Sequence, residues 1–354
     1  MNYQLLGRSG LRVSDLSLGT MTFGEDWGWG SSKDESRRIY DAYREAGGNF
    51  IDTANIYTNG SSEKLVGEFV AGHREEVVLA TKYTNAVAPF SGRVGTDPNG
   101  GGNQRKNMVQ AVEASLKRLG TDYIDLYWVH IWDGITPAEE VMRALDDLVR
   151  SGKVLYIGIS DAPAWVVSKS NALAELRGWT RYVGLQIEYS LLERTVERDL
   201  VPMAIDEQMT VVAWSPLKNG VLSGKYLPEK GGQSAVDGAR LHSEMMKGFG
   251  QGLDDVHHIV REVVAVAEEL EATPAQVALA WLYSRPVPVI PIVGARKLEQ
   301  FQDNLRSLTL KLSPEQRQRL DQATAVSLGF PHEFLHADAV KAIVFNGLQD
   351  RIRV

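Results

Sequence analysis

The stretch NFIDTANIYTNGSSEKLVGEFV, residues 49–70, joins a short apolar run to a segment with helical spacing. Its first half is typical of a buried strand, yet Asp52 lies inside the apolar run and Tyr57 follows five residues later. A charge at a buried position is costly unless it is paired. The stretch therefore predicts one strand-then-helix unit whose acidic side chain needs a cationic partner from elsewhere in the chain.

The chain repeats this strand-then-helix order eight times. The strand-like runs are mostly continuous apolar stretches, which is typical of parallel strands covered on both faces. The eight predicted strands are residues 13–20, 49–54, 76–83, 122–130, 154–160, 182–189, 209–216 and 287–294. Eight such units predict an α/β fold, a closed (β/α)8 TIM barrel, rather than an open sheet. Residues 2–13 predict a short hairpin that closes the bottom of the barrel.

The segments between these strands show helical periodicity and helix-end signals. Apolar residues follow one helix face between residues 103 and 119, and Gly120 stands where a C-terminal cap belongs. Thr136–Glu139 and Thr273–Gln276 match the capping-box pattern with proline at the first helical position. We therefore predict that threonine side chains cap these two helices.

The composition of the chain limits the classes of partner that it is expected to bind. Of its 354 residues, 44% are hydrophobic and 23% are charged, and the mean hydropathy is −0.20. A chain of this length and composition can bury a large core. The net charge of −7 argues against nucleic acid or an anionic membrane as the main partner.

The sequence contains no cysteine, which excludes disulfides and thiolate sites. Its first ten residues lack the basic and apolar regions of a signal peptide, and no apolar run reaches the length of a membrane span. We therefore expect a cytoplasmic protein. No linker and no shift in composition interrupts the chain, so residues 1–354 are predicted to form one domain.

Two Gly-rich polar stretches are longer than ordinary connections. They are residues 84–105, after the third predicted strand, and residues 218–252, after the seventh. Long loops in a barrel are usually functional, although tolerated surface insertions also occur. Both loops leave the C-terminal ends of strands, where the active sites of barrels lie, and this position favours a functional role.

Four polar side chains stand at the ends of consecutive predicted strands. Asp52 and Tyr57 follow the second strand, Lys82 lies near the end of the third, and His130 ends the fourth. Each of them alone is more often structural, as a turn residue, a core ring, a solvated amine or a satisfied interior histidine. Barrel geometry brings adjacent strand ends together, so we expect all four at one mouth.

These groups suit proton transfer to a developing alkoxide. An ammonium about 4 Å from a phenol would favour the phenolate by roughly 4 kcal/mol at an effective dielectric constant of about 20. Lys82 would thus lower the pKa of Tyr57, whose ordinary value is near 10. We predict that Asp52 pairs with Lys82 and keeps it charged. Neutral His130 would orient a carbonyl oxygen or assist the proton transfer.

Eight motifs resemble those of the aldo-keto reductase superfamily and span nearly the whole chain in the family's order. They are LGTMTFG (18–24), FIDTANIY (50–57), LATKY (79–83), DLYWVH (125–130), YIGISD (156–161), LQIEYSLL (185–192), AWSPLKNGVLSGKY (213–226) and PIVGARKLEQFQDN (291–304). The pieces TANIY, AELRGWT and GFPHEFL most resemble the aryl-alcohol dehydrogenase-like branch. The resemblance implies an enzyme that reduces aldehydes or ketones with the tetrad Asp52, Tyr57, Lys82 and His130, in which Tyr57 is the general acid.

The resemblance also implies NADPH as the cofactor, bound in an extended form across the barrel mouth. No G-x-G-x-x-G pattern follows a predicted strand and opens a helix, so the sequence does not indicate a Rossmann site. The implied cofactor residues are Gly19, Thr20 and Met21 at the rim; Asp52 of the tetrad; Ser160, Asp161 and Gln186 at the nicotinamide carboxamide; Trp214 stacked on the ring; Ser215, Leu217, Gly220, Leu222, Gly224 and Lys225 around the pyrophosphate; and Arg296, Gln300 and Asn304 around the adenosine 2′-phosphate. Asp161 departs from the pattern, since the family often has asparagine there and an ionised aspartate cannot donate a hydrogen bond.

The residues after the last predicted strand support a phosphate site independently. Gly294 ends that strand, and we predict that a helix starts there. Helix N-termini bind anions, and barrel phosphate sites favour the loops after the seventh and eighth strands. Arg296 adds a planar fork suited to phosphate, although a solvated first-turn arginine is the alternative. We therefore expect NADPH rather than NADH.

Three tryptophans stand in loops at the predicted mouth: Trp27 and Trp29 after the first strand, and Trp132 after the fourth. They would offer flat apolar walls to a substrate, although Trp27 and Trp29 could instead pack under their own loop. No cationic residue is fixed on this wall, since Arg93 and Arg105 lie in the long loop after the third strand. We expect a neutral aromatic or bulky apolar carbonyl substrate.

Two other functions fit the same residues. Lys82 could form a Schiff base in an aldolase-type barrel, but a lysine paired with Asp52 is a poor nucleophile. An NADPH-binding, redox-sensing regulatory subunit would keep the same site. His130 and Asp133 suggest a metal, but no third ligand has a suitable spacing, so no metal is predicted.

Overall fold

The computed structural model describes residues 1–90, 95–230 and 256–352. The strands in these ranges are β1 (Tyr3–Leu5), β2 (Arg12–Ser14), β3 (Ser17–Gly19), β4 (Phe50–Asp52), β5 (Val78–Tyr83), β6 (Ile124–Val129), β7 (Val154–Ser160), β8 (Tyr182–Glu188), β9 (Thr210–Trp214) and β10 (Val289–Val293). Strands β3 to β10 are parallel and close into a barrel in which β10 pairs with both β3 and β9. Strands β1 and β2 form an antiparallel hairpin. The predicted (β/α)8 barrel and the N-terminal hairpin are confirmed.

The helices of the same ranges flank the barrel or follow it. They are α1 (Lys33–Glu45), α2 (Ser61–Val70), α3 (Val87–Phe90), α4 (Arg105–Leu119), α5 (Ala138–Arg150), α6 (Ala164–Arg177), α7 (Leu200–Asp206), α8 (His257–Glu269), α9 (Pro274–Tyr283), α10 (Leu298–Leu305), α11 (Pro314–Ala323), α12 (His332–His336) and α13 (Asp338–Val344). The flanking helices bury apolar stripes against the outside of the strands, as Met108, Val112 and Leu116 do in α4. Part of the core therefore forms a ring between the strands and the helices.

All eight predicted strands are present, but the first was placed too early. Residues Arg12–Ser14 pair in the hairpin, and the barrel strand begins only at Ser17. Between them, the backbone N–H of Asp15 donates to the carbonyl oxygen of Asn2 at 3.0 Å. The apolar pattern runs through this corner without a break, which is why the sequence does not reveal the change of sheet.

The predicted helix-end signals have mixed outcomes. Gly120 ends α4 in the left-handed conformation, with φ +63°, as predicted. The Thr273 hydroxyl accepts from the N–H of Gln276 and Pro274 starts α9, as predicted, but the Gln276 amide donates to Asp303 rather than back to the cap.

The predicted cap at Thr136 is wrong. Helix α5 begins at Ala138 with no side-chain cap, and the Thr136 hydroxyl donates instead to Asp133 Oδ2 at 2.6 Å. The Asp133 carboxylate also accepts from the backbone of the following turn, so it competes successfully for the threonine.

The inside of the barrel is filled at the N-terminal ends of the strands. Phe50 and Val78, the first residues of β4 and β5, belong to one buried cluster with Leu6 and Val13 of the hairpin. The hairpin therefore closes the bottom of the barrel, as predicted, and the C-terminal ends of the strands form the open mouth.

The two long loops are partly described. In the first, Asn103 is fully buried, and its backbone N–H donates to Asp133 Oδ2 at 2.7 Å, which ties this loop to the loop after β6. The first part of the second loop forms two short 3-10 turns, Lys218–Ser223 and Pro228–Lys230, while residues 231–252 lie outside the described ranges. Among the residues that the structure describes, no helix is long and apolar enough to cross a membrane.

Candidate active site

The four predicted polar side chains meet at the mouth of the barrel. Asp52 is the last residue of β4, Lys82 lies near the end of β5, and His130 directly follows β6. Tyr57 begins the short turn after β4. Parallel pairing in register, with Asp52 beside Ala80 on β5, sets these strand ends side by side.

A buried ion pair lies at the centre of this group. The Lys82 ammonium donates to Asp52 Oδ1, to the carbonyl oxygen of Thr53 at 2.9 Å and to the hydroxyl of Tyr57 at 3.2 Å. The side chains of Lys82 and Asp52 are 0% and 2% exposed. The second carboxylate oxygen of Asp52 accepts from Gln186 Nε2 at 2.9 Å. The predicted pairing is therefore present, and it explains how β4 accommodates a buried acid.

The ammonium form of Lys82 is stabilised despite its burial. Desolvation alone would lower the pKa of Lys82, but the Asp52 carboxylate and the Tyr57 hydroxyl outweigh it and raise the pKa above its ordinary value. Lys82 thus stays charged at neutral pH and presents one N–H to the phenolic oxygen. Its three acceptors also occupy all three ammonium hydrogens.

Tyr57 is held by a turn with an unusual backbone. The two following residues, Thr58 and Asn59, are left-handed, with φ +45° and +54°. The Thr58 hydroxyl donates to the carbonyl oxygen of Phe23 at 2.7 Å and accepts from the N–H of Ser62 at 3.0 Å. These bonds fix the turn between the loop after β3 and helix α2, and so they fix the direction of the Tyr57 ring.

His130 faces Tyr57 as a neutral hydrogen-bond donor. The two rings are edge-to-face, with centroids 6.1 Å apart. Burial, and then the charge of Lys82, lower the pKa of His130 well below its ordinary value of 6.5. The Asn85 amide donates to His130 Nδ1 at 3.2 Å, so Nε2 carries the proton. Sequence reasoning missed Asn85, whose only signal is its place three residues after Lys82.

Left-handed backbone conformations concentrate at this mouth. Ten non-glycine residues in the described ranges have positive φ, and seven of them lie in the loops after β4, β5, β7 or β9: Thr58, Asn59, Thr84, Asp161, Ser215, Lys218 and Asn219. Each such residue costs on the order of 1–3 kcal/mol and persists only where the surroundings impose it. Strain of this kind clusters at functional sites, and here it marks the same face as the ion pair.

The residues predicted for the nicotinamide lie at the ends of β7, β8 and β9. Trp214 Nε1 donates to Asp161 Oδ1 at 3.0 Å. Burial raises the pKa of Asp161 to about 6, so its carboxylate is ionised at neutral pH and acts only as an acceptor. Ser160 Oγ is buried beside the Asp161 carboxylate and opposes the rise of its pKa. Gln186 uses one of its two amide N–H donors on Asp52.

Two cations come together in the loops after β9 and β10. Burial, and then the nearby charge of Arg296, lower the pKa of Lys225. A Cβ on Gly220 would lie 2.9 Å from Lys225 Nζ, so the glycine leaves room for the ammonium. The two positive charges together favour an anion in this part of the mouth. Lys218 of the same loop is instead paired with Glu188 at 2.8 Å.

The predicted helix start at Gly294 is wrong. Strand β10 ends at Val293, and helix α10 begins four residues after Gly294, at Leu298. The backbone N–H of Leu298 donates to Glu35 Oε1 at 2.6 Å, so a carboxylate of the chain itself occupies this helix end. The backbone N–H of Arg296 is bonded to Gln300 Oε1 at 3.3 Å. These two backbone N–H groups are therefore already bonded within the chain.

Several other predicted cofactor residues serve the fold. The Thr20 hydroxyl is buried and donates to the carbonyl oxygen of Asp52 at 3.0 Å. A Cβ on Gly19 would lie 2.6 Å from the Ile292 side chain. Leu222 is packed in the hydrophobic core, so only its backbone is available to a ligand.

The remaining members of the predicted set lie in the following places. Met21 follows β3, Ser215 and Leu217 follow β9, Gly224 ends the first 3-10 turn of the second long loop with φ +76°, and Asn304 is buried in α10.

The three tryptophans lie on the loops of the catalytic face. The rings of Trp27 and Trp29 are 5.6 Å apart, and Trp27 Nε1 donates to Asn59 Oδ1 at 3.4 Å, within the turn that holds Tyr57. Trp132 is half-buried, and its backbone N–H donates to the carbonyl oxygen of Asp161 at 3.3 Å. The bond of Trp27 to Asn59 joins the loop after β3 to the turn that carries Tyr57.

Comparison with known proteins agrees with this geometry. The sequence model of the Aldo/keto reductase family matches residues 15–325, which cover every barrel strand. This chain belongs to the aldo/keto reductase family. It is 39% identical over 338 residues to norsolorinic acid reductase of Aspergillus flavus (94% of this chain, 83% of the relative). It is also 39% identical over 339 residues to the aryl-alcohol dehydrogenase [NADP(+)] of Phanerodontia chrysosporium (93% and 87%). Norsolorinic acid reductase B of Dothistroma septosporum is 39% identical over 345 residues (95% and 84%).

The predicted resemblance to this family, and to its aryl-alcohol dehydrogenase-like branch, is therefore confirmed. In the described ranges of this aldo/keto reductase, no three side chains of the types His, Asp and Glu are placed to hold a metal ion. His257 and His258 are the first two residues of α8.

Proposed function

We propose that this aldo/keto reductase uses NADPH to reduce a neutral aldehyde or ketone with an aromatic or bulky apolar substituent. The observation that carries the proposal is the contact of 3.2 Å between the Lys82 ammonium and the Tyr57 hydroxyl beside a buried carboxylate. The cofactor, when bound, supplies the hydride. The side chains of the mouth supply the proton and orient the carbonyl group.

Tyr57 is the proton donor in this proposal. Loss of the phenolic proton leaves an anion within hydrogen-bond distance of Lys82, and the attraction between them lowers the barrier to proton transfer. His130 offers its Nε2–H to the same carbonyl oxygen, because it is neutral and Asn85 engages its other nitrogen. Asp52 does not touch the substrate in this scheme, but it keeps Lys82 charged.

The chain offers groups that fit the nicotinamide end of the cofactor. The Ser160 hydroxyl is buried beside the Asp161 carboxylate, and this carboxylate can accept from a carboxamide NH2. Trp214, fixed by its bond to Asp161, would lie against the ring. The paired cations Lys225 and Arg296 suit the phosphates. One relative carries NADP(+) in its name, which supports the preference for NADPH.

The Schiff-base alternative is disfavoured by the same contacts. An amine that attacks a carbonyl must be neutral and accessible, whereas Lys82 is fully buried, charged and bonded to three oxygen atoms. The specific observation therefore favours proton transfer at Tyr57 over imine formation at Lys82.

The test of this function compares the purified protein with Tyr57→Phe in the oxidation of NADPH by a panel of aldehydes and ketones. Positioned acid catalysis contributes roughly 10²–10⁴-fold, so kcat should fall by that order. Cofactor affinity, followed by protein fluorescence, should stay nearly unchanged. Tyr156→Phe, which removes a hydroxyl from a half-buried ring of β7, is the matched control. The proposal fails if Tyr57→Phe keeps most of its activity, or if no carbonyl compound is turned over.

The substrate class needs a separate comparison. Wild type and Trp29→Ala are assayed with a nitrobenzaldehyde, a short aliphatic aldehyde and a carboxylated aldehyde. We expect wild type to prefer the nitrobenzaldehyde in kcat/KM, because indole walls favour a flat neutral ring, and we expect the variant to lose this preference. A preference for the carboxylated substrate would contradict the proposed pocket, as would an aromatic preference that survives the loss of the indole.

A further inference from the structure

The chain continues beyond the barrel as a segment whose described residues all stay at least partly exposed, with polar contacts to the rest of the chain near its start. We refer to residues 330–352 as the C-terminal arm. No residue of the arm is buried, although it contains the helices α12 and α13. The region matched by the family model ends before it, at residue 325. The arm is therefore an addition to the family's barrel.

The arm carries far more exposed apolar surface than an isolated segment can keep. Phe330 and Ile343 are 84% and 81% exposed, and Phe334, Leu335 and Val344 are each more than half exposed. Helices of five and seven residues are not stable in water without packing. Exposed apolar patches of this size mark a surface that another molecule covers.

The arm starts at the edge of a groove on the barrel. Arg198 donates to the carbonyl oxygen of Ser327 at 2.8 Å, and His332 contacts Asp199 at 3.2 Å. Asp199 also lines a groove of about 540 Å³ between the start of α6 and the start of α7. The wall of this groove includes Trp165, which is 67% exposed.

We propose that a second copy of this chain covers the arm, so that each arm lies in the groove of its partner in a two-fold symmetric dimer. The arm and the groove are neighbours on one protomer, so a two-fold axis beside Asp199 presents each to the other. The interface is then isologous, the commonest kind in soluble oligomers.

The area available agrees with a stable dimer. The five exposed side chains of the arm would remove on the order of 600 Å² per protomer from water, before the surface of the groove is added. Each partner in a standard stable interface contributes about 800 Å². Arm and groove together therefore reach the size of a specific interface.

The charges of the arm favour another copy of the chain over a membrane. The arm and the two residues that follow it in the sequence contain three acids, Glu333, Asp338 and Asp350, and three bases, Lys341, Arg351 and Arg353. Two such arms do not repel each other. Helices that bind anionic membranes carry an excess of lysine and arginine, and this chain has a net charge of −7.

Sedimentation velocity over a wide range of protein concentration tests the proposal on four forms of the chain. They are the wild type, a chain ending at Gly329, the double variant Phe334→Ser/Ile343→Ser, and Trp165→Ala. Leu176→Ser is the matched control, because it removes an equally exposed apolar side chain from the far end of α6. Circular dichroism verifies that every variant is folded.

We expect a wild-type dimer, monomers for the truncated chain and the double variant, and at least a tenfold weaker dimer for Trp165→Ala. The control should dimerise like the wild type. A wild-type chain that is monomeric at all concentrations overturns the proposal. This holds also if the arm of the monomer is protected from hydrogen exchange by its own barrel, or if the monomer binds phosphatidylserine vesicles. A dimer that survives removal of the arm also overturns it.

Discussion

Lys82 is the residue on which the electrostatics of the mouth depend. Its ammonium contacts the carboxylate of Asp52 and the hydroxyl of Tyr57, so it both compensates a buried acid and stabilises the anion that proton transfer leaves. Removal of one partner from a buried ion pair costs about 3–5 kcal/mol, because the other charge stays buried. The structural and the proposed catalytic roles can therefore be separated by substituting both partners.

We expect Asp52→Asn and Lys82→Met each to destabilise the protein by about 3–5 kcal/mol, and the double variant to recover much of that loss. All three should be nearly inactive, since none keeps a stable ammonium beside Tyr57. Because the pKa of Lys82 is raised, its contribution to stability is fully present below the ordinary pKa of 10.5 and is lost only as the pH rises above it. Urea unfolding at neutral pH measures the expected changes in stability, and kcat at the same pH measures the expected loss of activity. A double variant as unstable as the sum of the single ones would contradict the coupling.

Asp161 carries a pH dependence of its own. Its pKa is about 6 in the folded chain against an ordinary 3.8, so the folded state holds the proton more tightly than the unfolded state. The stabilisation is present below pH 3.8 and is lost as the pH rises through about 6. Asp161→Asn does not suffer this loss, so its advantage over wild type should grow to at most about 3 kcal/mol by neutral pH.

Melting temperatures at about pH 4.5 and about pH 8 provide the measurement. Asp133→Asn is the control of opposite sign. Hydrogen bonds from the backbone of Asn103 and from Thr136 outweigh its desolvation and lower the pKa of Asp133, so this substitution should destabilise at neutral pH and matter less in acid. If both variants shift with the same sign, the assigned cause for Asp161 is wrong.

At the level of strands and loops, the sequence predicts elements that have a repeated apolar pattern. It does not predict features that depend on a single contact between residues remote from each other. The apolar runs were sufficient to place all eight barrel strands, and the polar residues at their ends were sufficient to predict the buried ion pair. The start of α10 was misplaced because Gly294 follows a strand without opening a helix. The helix begins at Leu298, whose N–H donates to Glu35, a residue remote in sequence. Thr136 was misassigned because Asp133 binds its hydroxyl. Asn85 was missed because nothing local to it reveals that His130 lies beside it.

In the proposed function, side chains of the loops after β9 and β10 contribute to the binding of the cofactor phosphates. We expect Arg296→Ala to weaken NADPH by about ten- to a hundredfold, since a charge-assisted hydrogen bond contributes roughly 1.5–3 kcal/mol, and to leave NADH nearly unchanged. Lys225→Met should weaken both cofactors, because both contain the pyrophosphate. Arg306→Ala, an exposed arginine just beyond α10, is the control. Fluorescence titration measures each affinity, and an equal loss of both cofactors in Arg296→Ala would place this arginine away from the 2′-phosphate.

On the scale of the whole molecule, the residues that close the barrel and the residues of the candidate active site lie at opposite ends of the strands. The hairpin and the inner core fill the N-terminal end, while the ion pair and the strained turns lie at the C-terminal end. Substitutions at the bottom of the barrel should therefore change stability with little effect on the mouth.

Gly7 offers the sharpest test of this separation, and of the prediction that residues 1–354 form one domain. Gly7 is left-handed, with φ +54°, and a Cβ there would lie 2.0 Å from the carbonyl oxygen of Val183. Gly7→Ala must move the hairpin away from the barrel, so we expect a loss of at least about 2 kcal/mol. Gly10→Ala is the matched control in the same hairpin, because no atom lies within 4 Å of its added Cβ. Calorimetry should show a single transition that Gly7→Ala lowers as a whole, with kcat retained below it. Two transitions, of which only one shifts, would mean that the chain does not unfold as one cooperative unit.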